Sequence, residues 1–437
     1  MNIFDELKKV NFPNNLLIVL SLLIIIVYPS GPFLPDLFLS ISVLIFIYYA
    51  IKKNNIKYFK NTYSLFFLIF FIYIVTNSFF AMFPKVSLLS SFFYIRFYLF
   101  SLVVWYLFEN EKIFKIFLYK FLLIVILFIN FDTLLQYFIG FDLFGYDSLS
   151  HRLSGPFGDE LIVGSYLSKS VPVLLALGYF IDKKNYNLLF AILSLSVLTT
   201  FLSGERTAFF MISVFYAFFL IITIKKENLV KILLSIFIIF LAVSISLVSD
   251  KSRFDRMVKY PICAMNLDYL SLLKCKNENE PTPSDSDLNK RPILFSEAHE
   301  GHYKSALKMF LDEPIFGKGI KMYRYYCDDP KYKNPHSCTT HPHNILLQVL
   351  AELGVVGLLF LLIILYKIYK TLFVTFINKK KIHDSVGISF LIINFLLIQL
   401  FFLFLPSGQI FNNYLSILYF LPLGIYFSLE KKSNTNV

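Results

Sequence analysis

Twelve apolar stretches divide this chain, at 14–32, 34–51, 62–82, 86–108, 116–138, 161–181, 187–203, 207–224, 229–248, 343–367, 386–405 and 412–429. About 20 apolar residues in a helix cross the hydrocarbon core of a bilayer. Lipid offers no water to backbone N–H and C=O groups, so a spanning segment bonds internally as a helix. The expected fold class is therefore an all-α polytopic membrane protein with about 12 transmembrane helices. Composition agrees: 57% of residues are hydrophobic and only 16% charged, where a soluble domain carries about a quarter charged residues. The first apolar run starts after Pro13 and ends in Pro-Ser-Gly-Pro without a small-x-small cleavage pattern. It reads as the first membrane helix, not a removed signal peptide.

Lysine placement predicts orientation. Lys8 and Lys9 precede the first span; Lys52, Lys53, Lys57 and Lys60 follow the second. Lys112 and Lys115, Lys183 and Lys184, Lys225, Lys226 and Lys231 then occupy every second loop, with Lys379 to Lys381 after span ten and Lys431 and Lys432 after span twelve. The alternate short loops hold only Lys85, Arg152 and Arg206. Cytoplasmic loops carry the Lys and Arg excess, so both termini are expected in the cytoplasm. The formal charge of +12 follows from the same rule, and no nucleic-acid partner is expected.

This orientation puts the long segment 249–342 outside the cell membrane. The chain then divides into 1–248 (spans one to nine), 249–342 (one large external loop with an amphipathic helix) and 343–437 (spans ten to twelve and a cytoplasmic tail). All four cysteines, Cys263, Cys275, Cys327 and Cys338, fall in the loop. An even number of cysteines in an exported segment suggests disulfides. Cys263–Cys275 with Cys327–Cys338 is the simplest of three pairings; four free thiols, or a zinc site from Cys327, Cys338, His341 and His343, are the alternatives, though that spacing fits no standard zinc pattern. Residues 277–292 read as a polar, mobile stretch. Residues 296–312 read as an amphipathic helix with Tyr303, Leu307, Phe310 and Leu311 on one face and His299 and His302 beside it. Gly317-Lys318-Gly319 reads as a tight turn; it lacks phosphate-loop spacing.

The polar groups expected at the outer face define the chemistry. His343 stands in Thr-His-Pro-His-Asn (340–344) at the start of span ten, with Pro342 suited to a first helical turn. A helix amino terminus disfavours imidazolium and favours a bound anion, so a neutral His343 could accept a proton beside an anionic group. Arg206, in Ser-Gly-Glu-Arg-Thr-Ala (203–208), presents a fork suited to phosphate oxygens. Arg152, in His-Arg-Leu-Ser-Gly-Pro-Phe-Gly (151–158), and Arg253, Arg256 and Arg324 in the long loop are further candidates; a snorkelling or solvated role is the plain alternative for each. Arg96 and Lys169 lie inside spans, where charges are paired or functional; Glu352 and Asp132 are their candidate partners. Histidine and arginines at an outer membrane face suit a lipid-linked sugar pyrophosphate. The arginines would stabilise the leaving group, and the histidine would take the proton of an attacking hydroxyl. This scheme needs no metal and no cofactor.

These segments resemble the bacterial O-antigen ligase and O-antigen polymerase superfamily. His343-Asn344 is followed by nine residues and then Gly354-x-x-Gly357, similar to the ligase signature of His-Asn with spaced glycines. Tyr303 to Leu307, running through Asp312-Glu-Pro-Ile-Phe-Gly-Lys-Gly319, is similar to the family's amphipathic helix and Pro-x-x-Gly-x-Gly turn. Arg152 to Phe157 and Ser203 to Ala208 resemble two other recurrent segments. The resemblance spans about 150 to 365 and implies a GT-C-type glycosyltransferase fold in a bacterial inner membrane. It implies transfer of a glycan from undecaprenyl pyrophosphate to a lipid A–core sugar hydroxyl on the periplasmic side. It implies His343 and Arg206 as catalytic residues. Arg152, Arg253, Arg256, His302, His341 and Asn344 are the substrate-binding candidates; Arg253 or Arg256 would replace a loop arginine of the family, where this chain has His299 and His302.

The rival readings are the polymerase, which joins one lipid-linked repeat to another, and an oligosaccharyltransferase acting on protein. A transporter is the reading of a different class. Carriers hold their binding groups near mid-membrane, whereas this chain gathers its polar groups at one face.

Overall fold

In the computed structural model of the 437-residue chain, residues 3–53, 56–149, 151–181, 186–223, 229–264, 295–377 and 385–435 are described. The polar stretch 277–292 and Cys275 lie outside them. Among the described residues the fold is all-helical; β structure is limited to isolated bridges, Phe141 to Asp147 and Leu149 to Arg152.

The principal helices are α1 (Asn14–Val27), α2 (Phe33–Lys52), α3 (Thr62–Ser78), α4 (Pro84–Asn110), α5 (Lys112–Ile139), α6 (Val163–Ile181), α7 (Tyr186–Leu202), α8 (Arg206–Thr223), α9 (Leu229–Ser249), α10 (Glu297–Asp312), α11 (Ile345–Ile377), α12 (Ser385–Leu400) and α13 (Asn413–Thr435). Each apolar stretch of the sequence coincides with one of them. Among the described residues α2, α4, α5, α8 and α11 are long and apolar enough to cross a membrane, and α1, α3, α7 and α12 are shorter apolar helices. Helix ends follow local chemistry. Asn61 caps α3 by accepting from Ser64 N at 2.9 Å, and Gly140 ends α5 in the left-handed conformation, as helix caps require.

α13 packs along α4, and α12 along α6. Phe97, Phe100, Phe108, Phe117 and Tyr426 are fully buried between helices. Leu44, Ile72, Phe92 and Ile124 are exposed on the outer faces. Exposed apolar surface on this scale marks a helix bundle built for a lipid surround. The two ends of the bundle differ in chemistry. At one end Lys431 pairs with Glu109, which also accepts from Tyr58 Oη at 2.8 Å. The histidines and arginines lie at the other.

Several expectations are revised. The tenth apolar stretch becomes helical only at Ile345, so Pro342 and His343 precede the helix. Arg96 does not pair with Glu352 or Asp132: it makes a two-pronged contact with Asp36 at 2.8 and 2.9 Å. Asp132 instead accepts from Leu143 N at 2.9 Å. Lys169 donates to Ser165 O and Oγ at 3.0 and 2.7 Å. In α10 the inward face carries His302, Ser305, Ala306 and Met309, while Leu307 and Leu311 face outward; the small side chains at 305 and 306 allow closer packing on α11 than leucine would.

Helix α11 is broken at Gly354, which has φ 61° and ψ −161°, a conformation open essentially to glycine alone. An unbroken helix would bond Val355 N to Ala351 O and Val356 N to Glu352 O. Here Lys318 N donates to Ala351 O and Gly319 N to Glu352 O, both at 2.9 Å. Val355 N donates to Pro314 O at 2.8 Å and Val356 N to Ile315 O at 3.2 Å. The Gly-Lys-Gly turn is thus stitched into the opened helix, and these four freed backbone groups are satisfied.

Candidate functional site

Two loops bring the first basic group together. Gly204 adopts φ 75°, and a Cβ there would lie 2.2 Å from His151 O. Only glycine lets the 203–205 turn lie flat on the 151–153 segment, and Leu153 N donates to Ser203 O at 3.3 Å. Arg152 and Arg206 therefore sit side by side. Arg256 joins them, donating from Nε to Gly204 O at 2.8 Å.

Glu205 lies beneath. Its carboxylate accepts from Gly164 N at 2.6 Å and Ser165 N at 3.1 Å, capping the amino terminus of α6. Burial pushes this carboxyl above its ordinary range, against the pull of Arg152 and the two amides. Burial, reinforced by Arg152 and Arg206, holds the Arg256 guanidinium down to about 10. Burial also lowers Arg152, which Glu205 opposes. The cluster has more guanidinium than carboxylate charge and is set to receive an anion.

Its members are engaged unequally. Arg152 donates from Nη2 to Leu161 O at 2.8 Å, while its Nε is buried without a partner. The half-buried Arg206 guanidinium donates no hydrogen bond among the described residues. Arg253 is diverted: it is 2% exposed, bonds Asp250 at 3.0 Å and lies over the Tyr137 ring at 5.0 Å.

Four histidines form the second part. The His343 ring centroid lies 4.1 Å from that of His341, 5.3 Å from His302 and 5.8 Å from His299. His299 and His302 are three residues apart on α10 and so share a face. Ser296 caps α10, accepting from His299 N at 3.3 Å. Arg206 is near enough to His299 to oppose its protonation. His299 thus connects the guanidinium cluster to His343.

Hydrogen bonds separate the roles of these rings. His341 donates from Nε2 to Ser407 O at 3.3 Å, leaving Nδ1 to accept from Thr340 Oγ1 at 3.0 Å. His302 donates from Nδ1 to Ser337 O at 3.1 Å. Both are 8% exposed. His343 is less buried, and neither ring nitrogen has a hydrogen-bond partner among the described residues. It also adopts φ 53°, a left-handed conformation uncommon outside glycine. Ser407 N donates to His343 O at 2.9 Å and holds it there.

Asn344, expected to touch substrate, is the amino-terminal cap of α11. Its Oδ1 accepts from Leu347 N at 3.0 Å, and its Nδ2 donates to Leu403 O at 2.9 Å. Burial pushes His343 down to about 4, with His302 adding to it, and His341 to about 3, with His343 adding to it. His299 falls to about 4 for the same reasons. All three are neutral at pH 7.

The loop supporting these groups is cross-linked. Cys327 and Cys338 are disulfide-bonded, and Tyr323 Oη donates to Ser337 O at 2.6 Å. Cys263 is also held in a disulfide; its expected partner, Cys275, lies outside the described residues. The zinc alternative fails for this set, since the Cys327 and Cys338 sulfurs are joined to each other. His299 was absent from the substrate-binding candidates; its helical spacing from His302 was the signal that could have found it.

Residues 190–362 match the family model described as O-Antigen ligase. The match covers about two fifths of the chain and contains Arg206, Arg256 and all four clustered histidines; Arg152 lies before it. It supports a relation of this polytopic helical protein to the O-antigen ligase-like superfamily. The similarity supports a glycosyltransferase-like enzyme of the ligase or polymerase type, embedded in a membrane and using lipid-linked glycans. No curated protein matches the chain.

Proposed function

We propose that the protein is an O-antigen ligase of the bacterial inner membrane, with a GT-C-type fold, twelve spans, both termini cytoplasmic and the 249–342 loop periplasmic. The donor is a glycan on undecaprenyl pyrophosphate, and the acceptor is a sugar hydroxyl of lipid A–core. The observation that carries this reading is the pairing of a guanidinium, Arg206, with an imidazole, His343, across His299, both without a hydrogen-bond partner among the described residues.

In this reading Arg206, flanked by Arg152 and Arg256, grips the pyrophosphate. The acceptor oxygen attacks the anomeric carbon as the bond from that carbon to the pyrophosphate oxygen breaks. His343 takes the hydroxyl proton, and undecaprenyl pyrophosphate leaves with the electron pair. A neutral imidazole is in the right state to act as base, and the arriving anion raises its proton affinity. Guanidinium groups carry the charge stabilisation that a metal supplies elsewhere, so activity should survive chelators. Loss of activity with EDTA and its recovery with zinc would reverse this part of the reading.

The polymerase reading shares donor, surface and residues. The His-Asn pair followed by Gly354-x-x-Gly357 favours the ligase. Deleting the gene and profiling lipopolysaccharide tests the choice. Loss of all attached glycan supports the ligase; one remaining attached repeat means polymerase; unchanged profiles refute both.

A further inference from the structure

On the other flank of the histidines lies a second pair of cations. Lys321 adopts φ 60°, and its ammonium makes no hydrogen bond or ion pair among the described residues. Arg324 makes one long hydrogen bond, from Nη2 to Gln409 Oε1 at 3.5 Å, and its Nε is buried without a partner. Partial burial, reinforced by repulsion from Arg324, lowers Lys321 from its ordinary value.

The nearby carboxylates, Asp36 and Glu352, favour the charged form of Lys321 but bond to neither side chain. Asp36 is held by both prongs of Arg96. Glu352 is fully buried and accepts from Gln348 Nε2 at 3.0 Å and from the backbone amides of Tyr323 and Lys321. Glu352 therefore holds the turn from below, while neither side chain has a direct ion pair among the described residues. A half-buried cation without an ion-pair partner is costly, and here a left-handed backbone keeps Lys321 in place.

We propose that Lys321 and Arg324 form a second anion-binding position, taking a phosphate or diphosphate group carried by the acceptor. The inference rests on the proposed glycan transfer and adds how the second substrate is held. Arg324 is near enough to His341 to oppose its protonation, and the His341 and His343 rings are 4.1 Å apart. His343 thus has one basic group on each side: Arg206 by way of His299, and Arg324 by way of His341. A donor anchored by pyrophosphate on the first side and an acceptor anchored by phosphate on the second would bring the acceptor hydroxyl to the base, and such positioning lowers the barrier to bimolecular transfer.

The test titrates inorganic pyrophosphate into the full-length protein in nanodiscs of zwitterionic lipid. Wild type should bind two equivalents. Arg206→Gln should retain the second, and the Lys321→Gln, Arg324→Gln double variant the first. Lys321→Arg, which keeps the charge, should retain both and report that the turn still folds. Loss of charge-assisted contacts should weaken the second site by about tenfold or more. One equivalent in wild type, abolished by Arg206→Gln, overturns the inference and leaves the transfer reading intact. Two equivalents in the double variant also overturn it. A second site without transfer from any lipid-linked donor defeats the transfer reading instead.

Steady-state rates give a separate check. In Lys321→Gln the acceptor KM should rise about tenfold while the donor KM stays unchanged; an equal rise in both overturns the assignment. Competition with a phosphorylated core glycolipid, its dephosphorylated form and a polyprenyl diphosphate identifies which acceptor supplies the anion. Competition by none of them overturns the acceptor role.

Discussion

Gly317 crosses Gly354 backbone to backbone. A Cβ on Gly354 would lie 2.3 Å from Ile315 O, and one on Gly317 would lie 2.5 Å from the Glu352 carbonyl carbon. Both residues have positive φ. The crossing fixes the loop turn to the membrane helix that begins just after His343, so the loop histidines and His343 keep a constant spacing.

Gly354→Ala and Gly317→Ala should each destabilise the protein strongly. The added methyl meets backbone, which does not swing aside, and the conformation itself costs about 1–3 kcal/mol for a residue with a side chain. Thermal unfolding in detergent should show a lower midpoint for each, with reduced membrane yield. Wild-type melting for Gly354→Ala would mean that the break in α11 is not maintained in the protein.

His343→Asn separates chemistry from backbone geometry, because asparagine tolerates the left-handed conformation. Transfer should fall by roughly 10²–10⁴-fold, the usual contribution of a general base, with melting close to wild type. His343→Ala should lose the same activity and also some stability. Retained transfer in His343→Asn would remove the proton-accepting role.

Arg206→Lys should lose most activity although charge is conserved. One ammonium does not reproduce the two-pronged fork that fits a phosphate. Arg253→Lys should act differently: Arg253 is bound to Asp250 and stacked on Tyr137, so the loss should appear in stability. Glycan-transfer assays paired with melting curves distinguish the two, and wild-type turnover in Arg206→Lys would refute the pyrophosphate role.

Acidification should destabilise the histidine group. The folded values of His299, His341 and His343 are about 4, 3 and 4, below the value of about 6.5 in an unfolded chain. Between those values the unfolded chain binds more protons, so stability is full above about pH 6.5 and falls as pH drops toward 4. The raised Glu205 carboxyl works against this slope. Melting from pH 7.5 to 4.5 should therefore be compared between wild type and His343→Asn, which share Glu205. The variant should lose less stability over the window; parallel curves would show that His343 is not held neutral by the fold.

The sequence by itself determined the helical elements, because alternation of apolar stretches with lysine-bearing loops is a one-dimensional signal set by lipid. It also pointed to Arg206 and His343, since few polar residues stand at the ends of those stretches, and motif resemblance narrowed the choice. Tertiary structure decided which polar groups remain available. Asn344 became a helix cap, His341 a doubly bonded brace, and Arg253 the partner of Asp250, while His299 entered the group beside His343. Those assignments depend on carbonyls and carboxylates supplied by residues remote in sequence, such as Ser407 and Leu403 for the His341–Asn344 arm, and no local pattern encodes where such partners arrive.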